Sequence, residues 1–426
     1  MGGIALPRKG GHAAWMADAA PEREDQPAPP APDTSAPPPA KRNPPHCATV
    51  AGNRLVLLTE GAERLEALVS LIETAKESVR LLYYIFLDDV SGTRVRDALL
   101  AAAQRGVKVS LLVDGFGATS NKAFFQPLVD GEVRFCQFSP HWGRQYLLRN
   151  HQKLALADSK RVIIGGFNVS DDYFGTIESG AWRDIGLEVE GDSVACLVDY
   201  YDRLFAWAER PNARMRDLRR MLRQHSVTEG TLHWLFGGPA RRLSPWARAV
   251  RMDMLGAKRL DIIAAYFAPA PAMLRRMGKV GRRGQARLVT AAKSDNMATI
   301  GAARSLYTYL LKRRVRVFEY QPTKLHTKLF VVDDVVHIGS ANFDMRSLFL
   351  NLEMMLRIED AAFAASMRRF VDGEVKASEE ITFESHEKQR TWLNRLRWAI
   401  GYFVVAVADY RISRRLNFGP LAASRK

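Results

Sequence analysis

Asn150-His-Gln-Lys-Leu-Ala-Leu-Ala-Asp158 and Leu325-His-Thr-Lys-Leu-Phe-Val-Val-Asp333 both read H-x-K-x-x-x-x-D, with their histidines 175 positions apart. The agreement extends beyond the two stretches. Gly165-Gly-Phe-Asn168 follows the first and Gly339-Ser-Ala-Asn342 the second, and Trp182-Arg-Asp184-Ile-Gly-Leu-Glu-Val-Glu-Gly191 then matches Asn351-Leu-Glu353-Met-Met-Leu-Arg-Ile-Glu-Asp360 in register. One short match arises by chance; a pair whose followers also match points to an internal repeat. The flanks agree. Val79-Arg-Leu-Leu-Tyr-Tyr-Ile-Phe86 reads as a buried strand, the next helix as Val95 to Arg105, and Gly106 as its cap before a strand from Val107 to Val113. The same β-α-β order returns as Leu260 to Phe267, a helix from Pro271 to Val280, Gly284, and a strand from Ala286 to Thr290. The expected class is therefore α/β, duplicated with a period near 180 residues. Its first ordered elements are a strand at Arg54–Leu58 and a helix patterned by Leu65, Leu68, Leu71 and Ile72.

Each motif lies in a strand-like run, where residues two apart share a face, so His151 pairs with Lys153 and His326 with Lys328 on one side. Asp158 and Asp333 lie seven positions after their histidines, an odd separation that takes them off that face and away from substrate. Two histidines, two lysines and the asparagines Asn168 and Asn342 converging on one point form a cationic, hydrogen-bonding pocket for a phosphate whose transition state spreads charge over its oxygens. That chemistry requires no metal and no cofactor. One imidazole can attack phosphorus while the other protonates the leaving alkoxide and then deprotonates the incoming alcohol.

At these residues the chain resembles the phospholipase D superfamily, whose signature is the doubled HKD motif, over about residues 50 to 375. Within it the sequence is most similar to bacterial cardiolipin synthases. Ala101-Ala-Ala-Gln-Arg-Gly-Val-Lys-Val109 with Leu112-Val-Asp-Gly115, Ala265-Tyr-Phe-Ala-Pro269, Val317-Phe-Glu-Tyr320 and Ser347-Leu-Phe-Leu-Asn-Leu-Glu353 carry that likeness. The resemblance implies two similar phospholipase D-type domains, each a β-sheet flanked by helices, in a pseudo-twofold arrangement around one shared active site. It implies a phosphohistidine on His151, with His326 as general acid and base. Lys153, Lys328, Asn168 and Asn342 become phosphate binders, with Ser340 and Gly166 at the positions beside them. Asp184 and Glu353 match the residues that orient the histidines, and Asp158 and Asp333 complete the catalytic motifs as structural members. Gly165-Gly166 facing Gly339-Ser340 marks the two halves as inequivalent. The two N-terminal transmembrane helices of some cardiolipin synthases have no counterpart here, so the peripheral type is expected.

The rest of the chain supplies context. It has 426 residues, 47% hydrophobic and 25% charged, which is a globular composition with room for two domains. The net charge of +16 favours polyanions without separating anionic membrane from nucleic acid. Cys47, Cys136 and Cys196 are too few and scattered for a disulfide framework or thiolate metal site. A Pro/Ala-rich tail is expected over 1–46, phospholipase D-like domains over 47–225 and 226–388, and a basic aromatic segment over 389–426. The arginines between Glu209 and Gly230 suggest an exposed basic helix at the domain boundary. Trp398 to Ala408 is half a membrane span, and with Trp392, Tyr402, Phe403 and the surrounding arginines it fits an interfacial element. His225, His233, His337, His386 and the methionines Met252, Met254, Met354 and Met355 lack a repeated partner and read as packing or surface residues. No secretory signal is seen, so the cytoplasmic side of the bacterial inner membrane is the expected location. The expected partners are anionic phospholipid substrates and the membrane surface, not nucleic acid; the oligomeric state is left open. Phosphatidyl transfer is favoured, with cardiolipin formed from phosphatidylglycerol. A hydrolase producing phosphatidic acid and a metal-independent nuclease are the alternatives, while intact motifs argue against a non-catalytic lipid binder.

Overall fold

Short apolar runs build two eight-stranded sheets. The computed structural model describes residues 46–119, 121–138, 148–226, 230–240, 242–410 and 412. In spatial order the first sheet is Cys47–Val50, Asn53–Leu58, Gly186–Glu190, Arg161–Gly165, Leu154–Ala157, Ser78–Tyr83, Lys108–Asp114 and Arg134–Phe138. The second runs Ser378–Ile381, Val315–Tyr320, Gln285–Ala291, Arg259–Ala264, Lys328–Val332, Val335–Gly339, Glu353–Glu359 and Leu232–Gly237. Read from the opposite edge, seven strands of the second repeat the order of seven strands of the first. Both sheets mix parallel β-α-β crossovers with the antiparallel hairpin that follows each His-x-Lys stretch.

Burial on both faces explains the dense apolar runs. Leu82, Leu112, Leu154 and Ile164 of the first sheet share one continuous core with Ile263, Val289, Leu329 and Ile338 of the second. The helices Cys196–Glu209 and Ala361–Lys376 also enter it through Leu204, Phe205, Met367 and Phe370. The residues between, such as Leu81, Val113 and Ala155, face an outer core under the helices Gly61–Glu73 and Val90–Gln104. Leu260, Leu288 and Phe330 do the same beneath Pro271–Arg283.

Several boundaries differ from the sequence reading. Order begins earlier, because Cys47–Val50 pairs antiparallel with Asn53–Leu58, and His46 bonds Ser366 Oγ through Nδ1 at 3.2 Å. Residues 1–45 of the expected tail lie outside the described residues. The helix expected from Val95 starts at Val90, where Asp89 accepts from the Gly92 amide. The strand expected to reach Phe86 stops at Tyr83, and Phe86 forms a separate bridge with Val169. Likewise Leu260–Phe267 divides into Arg259–Ala264 and a short Phe267–Ala268 strand on Phe343–Asp344. These early exits bring Tyr84 and Tyr266 towards the histidines.

The basic helix is Met215–His225; it buries Leu218, Met221 and Leu222 and leaves Arg216, Arg220 and Arg223 exposed. His225 bonds Asp199, buried His337 bonds Asp253, His233 bonds the Gly230 carbonyl, and His386 stacks on Trp398. Met254, Met354 and Met355 are core residues, while Met252 is exposed. The three cysteines are free thiols.

The C-terminal helix, Trp392–Tyr402, continues as a wider π-helical segment at Phe403–Ala408. One face docks on the helix Met297–Leu311, where Gly401 lets the backbones approach: a Cβ there would stand 2.7 Å from the Ala298 carbonyl oxygen. The other face leaves Trp392, Leu393, Leu396, Ile400, Phe403 and Val404 exposed, at 71, 53, 52, 54, 58 and 45%. Among the described residues no helix is long and apolar enough to cross a membrane. The expected arginines Arg411, Arg414 and Arg415 lie outside the described residues.

Candidate active site

His151 and His326 sit in extended backbone just ahead of the strands Leu154–Ala157 and Lys328–Val332. Each is held by backbone from the opposite half. The His151 amide donates to the Leu352 carbonyl at 2.9 Å, and the His326 amide donates to the Arg183 carbonyl at 2.7 Å. These reciprocal bridges set Glu353 beside His151 and Asp184 beside His326. The Nδ1–carboxylate distances are 3.1 Å and 2.6 Å, so the acidic partners are exchanged between the halves. In the neutral imidazole Nδ1–H donates to the carboxylate, which fixes the tautomer and leaves Nε2 with a lone pair.

The lysines complete the pair of motifs. Lys153 Nζ donates to the His151 carbonyl at 2.7 Å and lies 5.3 Å from the centroid of the Tyr84 ring, which itself stands 5.1 Å from the His151 ring. Lys328 Nζ donates to the His326 carbonyl. Each lysine acts electrostatically on the other and on the opposite histidine, so the motifs share one site.

The electrostatics follow from burying so much charge. Desolvation is the largest influence on all four basic groups. It pulls Lys153 down to about 7 and Lys328 to about 8. His326 falls to about 3, with Lys328 adding to the effect and Asp184 opposing it. His151 is also lowered by burial and by Lys153. Burial alone raises a carboxylate, but Lys328 and His326 hold Asp184 low, and His151 and Lys153 do the same for Glu353. The site holds neutral imidazoles on ionised carboxylates, beside lysines whose burial keeps them well below the ordinary lysine value.

The two halves hold their carboxylates differently. Glu353 Oε2 accepts from Ser340 Oγ at 2.5 Å and Oε1 from Ser347 Oγ at 2.7 Å. Ser340 Oγ also accepts the Met354 amide, so its hydroxyl bridges Glu353 and the following strand. Gly166, its counterpart, makes room instead: a Cβ there would lie 2.5 Å from Asp184 Oδ1. Buried Arg64 bonds the main-chain carbonyls of Asp184 and Tyr173. Tyr173 and Trp182 pack edge-on against His326, with centroids 5.2 Å away in both cases.

The asparagines also differ. Asn168 Oδ1 accepts the Ile85 amide at 3.1 Å. Asn342 Oδ1 is buried without a hydrogen-bond partner, the condition of a polar group meant for a ligand.

Asp158 and Asp333 lie outside this constellation. Both occupy turns with positive φ, 49° and 45°. Asp158 receives the amides of Lys76, Glu77 and Ser78, and Asp333 those of Lys258 and Arg259. They tie the hairpin to the start of the neighbouring strand. Among the described residues no three His, Cys, Asp or Glu side chains gather to hold a metal ion.

Tyr84, Tyr173, Ser347 and Arg64 were not legible as site residues, although early exit of the repeated strand at Tyr83 and Ala264 is a signal that points to Tyr84 and Tyr266.

A duplicated α/β fold with paired His–Lys motifs and crossed carboxylates defines the phospholipase D superfamily, and known proteins agree. The family described as "Cardiolipin synthase, PLD-like domain" matches residues 68–204 and 253–373. Cardiolipin synthase 1 of Bacillus cereus is 31% identical over 352 residues, covering 78% of this chain and 68% of that protein. Cardiolipin synthase B of Salmonella typhimurium is 32% identical over 378 residues, covering 84% and 88%. The crystal structure of phosphatidylserine synthase from Haemophilus influenzae shares the fold, with a TM-score of 0.66 at 14% identity over 84% of this chain and 94% of that one. The chain belongs to the cardiolipin synthase-like family of the superfamily and is a phospholipase D-type phosphatidyltransferase.

Proposed function

We propose that the chain makes cardiolipin from two molecules of phosphatidylglycerol, through a phosphatidyl-histidine on His151, with release of glycerol. The observation that carries this reading is the exchanged pairing of His151 with Glu353 and His326 with Asp184 around two buried lysines. His151 Nε2 attacks phosphorus as the P–O bond to glycerol breaks, and His326 gives that oxygen its proton. In the second step His326 removes a proton from the hydroxyl of the acceptor phosphatidylglycerol, whose oxygen displaces His151. Lys153, Lys328 and Asn342 hold the non-bridging oxygens throughout. A bound phosphate raises the proton affinity of His326, which lets it serve as the acid. The likeness to relatives named cardiolipin synthases supports a phospholipid acceptor over water. Purified protein incubated with phosphatidylglycerol vesicles should give cardiolipin and glycerol; phosphatidic acid as the sole product sinks the acceptor assignment.

The pH dependence follows from the site. His151 is lowered from 6.5, so the nucleophile stays unprotonated to below that pH and the acid limb of kcat/KM lies there. Lys153 and Lys328 lose their protons as pH rises through about 7 and about 8, weakening capture of the phosphate. We expect kcat/KM to fall above about pH 8, while the limb of kcat lies higher because bound phosphate retains the lysine protons. A kcat/KM profile flat to pH 9.5 contradicts this.

We further propose that the enzyme is peripheral, docking by the exposed C-terminal stripe. Each large apolar side chain withdrawn from water contributes roughly 1.5–3 kcal/mol. Trp392→Asp combined with Leu396→Asp and Phe403→Asp is expected to weaken co-sedimentation with phosphatidylglycerol vesicles by at least about tenfold, with circular dichroism unchanged. Undiminished co-sedimentation counts against the stripe.

A further inference from the structure

A cavity of about 340 Å³ lies away from the histidines, between the arginine helix Met215–His225, the loop after Leu232–Gly237 and the helix Pro245–Asp253. Four arginines line it: Arg219 and Arg223 from the first helix, Arg242 from the loop and Arg248 from the second helix. Among the described residues no carboxylate lines it, and none forms an ion pair with Arg223, Arg242 or Arg248. Arg219 Nε donates to the Pro239 carbonyl at 3.0 Å, which holds that side chain against the wall.

Like charges gathered in one concavity repel each other, and an anion relieves the repulsion. Arginine suits phosphate because its planar fork makes paired, charge-assisted hydrogen bonds. Leu222, Leu243 and Pro245 interleave with the arginines and make part of the wall apolar. A mixed wall of this kind matches a phosphate ester on a short apolar stem better than a bare ion. We propose that this cavity is a second phosphate site, separate from the His–Lys site, whose ligand is a phosphate ester such as an anionic phospholipid headgroup, with free phosphate as the other source of the same chemistry.

Its position gives the site a direct relation to the reaction centre. The Ala240 amide donates to the Phe349 carbonyl at 2.8 Å, and Trp246 Nε1 to the Ser347 carbonyl at 3.2 Å. Both acceptors lie on the short helix Met345–Phe349, whose Ser347 hydroxyl holds Glu353. Gly237, at the end of the strand entering the cavity loop, is the register partner of Glu353. The loop and helix that wall the cavity are therefore bonded to the element that supports the carboxylate behind His151.

The test uses the full chain silenced for turnover by His151→Ala, alone and with Arg223→Glu and Arg248→Glu added. Both proteins are titrated calorimetrically with monomeric dihexanoyl phosphatidylglycerol and, separately, with inorganic phosphate. Two sites are expected for the lipid in the silenced protein, with one lost or weakened at least tenfold after charge reversal. Equal loss of an inorganic phosphate site identifies free phosphate as a sufficient ligand, and loss confined to the lipid identifies the headgroup. Should the double variant not fold, Arg242→Gln is expected to weaken the same site. Identical stoichiometry and affinity with and without the arginine changes, for both probes, overturns the proposal. The result is independent of whether phosphatidylglycerol or water accepts the phosphatidyl group.

Discussion

The His326→Ala protein, given a phosphatidyl ester of p-nitrophenol, is expected to release one equivalent of nitrophenol per chain in a burst and then stop. Nitrophenolate leaves without help from an acid, so the first step needs only the nucleophile, the lysines and the phosphate. The second step needs a base for the incoming alcohol, and its loss leaves the phosphatidyl group on His151. Steady-state turnover should fall by about 10²–10⁴, the range supplied by a positioned acid–base group. Mass spectrometry of the protein digested at alkaline pH should find the adduct on the peptide carrying His151. His151→Ala should give no burst. A burst in the His151→Ala protein instead would reverse the two roles, and full turnover in either protein would refute the shared site.

A second large effect is expected from the exchanged carboxylates. Glu353 belongs to the second half of the chain, yet it serves the first-half histidine at 3.1 Å and receives Ser340 and Ser347 as well. Glu353→Gln keeps the volume but removes the charge that fixes the Nδ1–H tautomer and stabilises the imidazolium as it forms. A loss of roughly 10²–10⁴ in turnover is expected, as for carboxylates that orient catalytic imidazoles elsewhere. The nitrophenyl ester separates the halves. Glu353→Gln should slow the burst itself, because it disables the nucleophile; Asp184→Asn should preserve a burst and block the second step. The opposite assignment would mean that each carboxylate serves the histidine of its own half. Circular dichroism should show both proteins folded.

Much of the site was legible because chemistry repeats where packing need not. His151, Lys153, His326 and Lys328 recur at fixed spacing with Asn168 and Asn342 behind them, and a duplicated sequence needs a physical reason to keep those positions. The odd separation that takes Asp158 and Asp333 off the shared face matches their turn positions, where they cap strand amides. The crossing of Glu353 to His151 was not legible, since spacing along a chain gives register within a half and says nothing about which half faces which. The same limit hid Ser347 and Arg64, whose bonds to Glu353 and to the Asp184 main chain span long sequence separations or cross an unpredictable turn. Strand ends at Tyr83 and Ala264 were misjudged because apolar residues continue to Phe86 and Phe267, and the departure from the sheet is set by new pairing with Val169 and Phe343. The carboxylate contacts of Gly166 and Ser340 carry no sequence signal: one spares room for Asp184 and the other donates to Glu353.

The central claim is that both imidazoles close on one phosphorus, and a crystal structure with vanadate tests it most directly. Trigonal vanadate should appear once in the His–Lys site, bonded to Nε2 of His151, with Nε2 of His326 on the opposite axial side and Lys153 and Lys328 against the equatorial oxygens. Vanadate held by one histidine while the other faces a separate cavity would contradict the account.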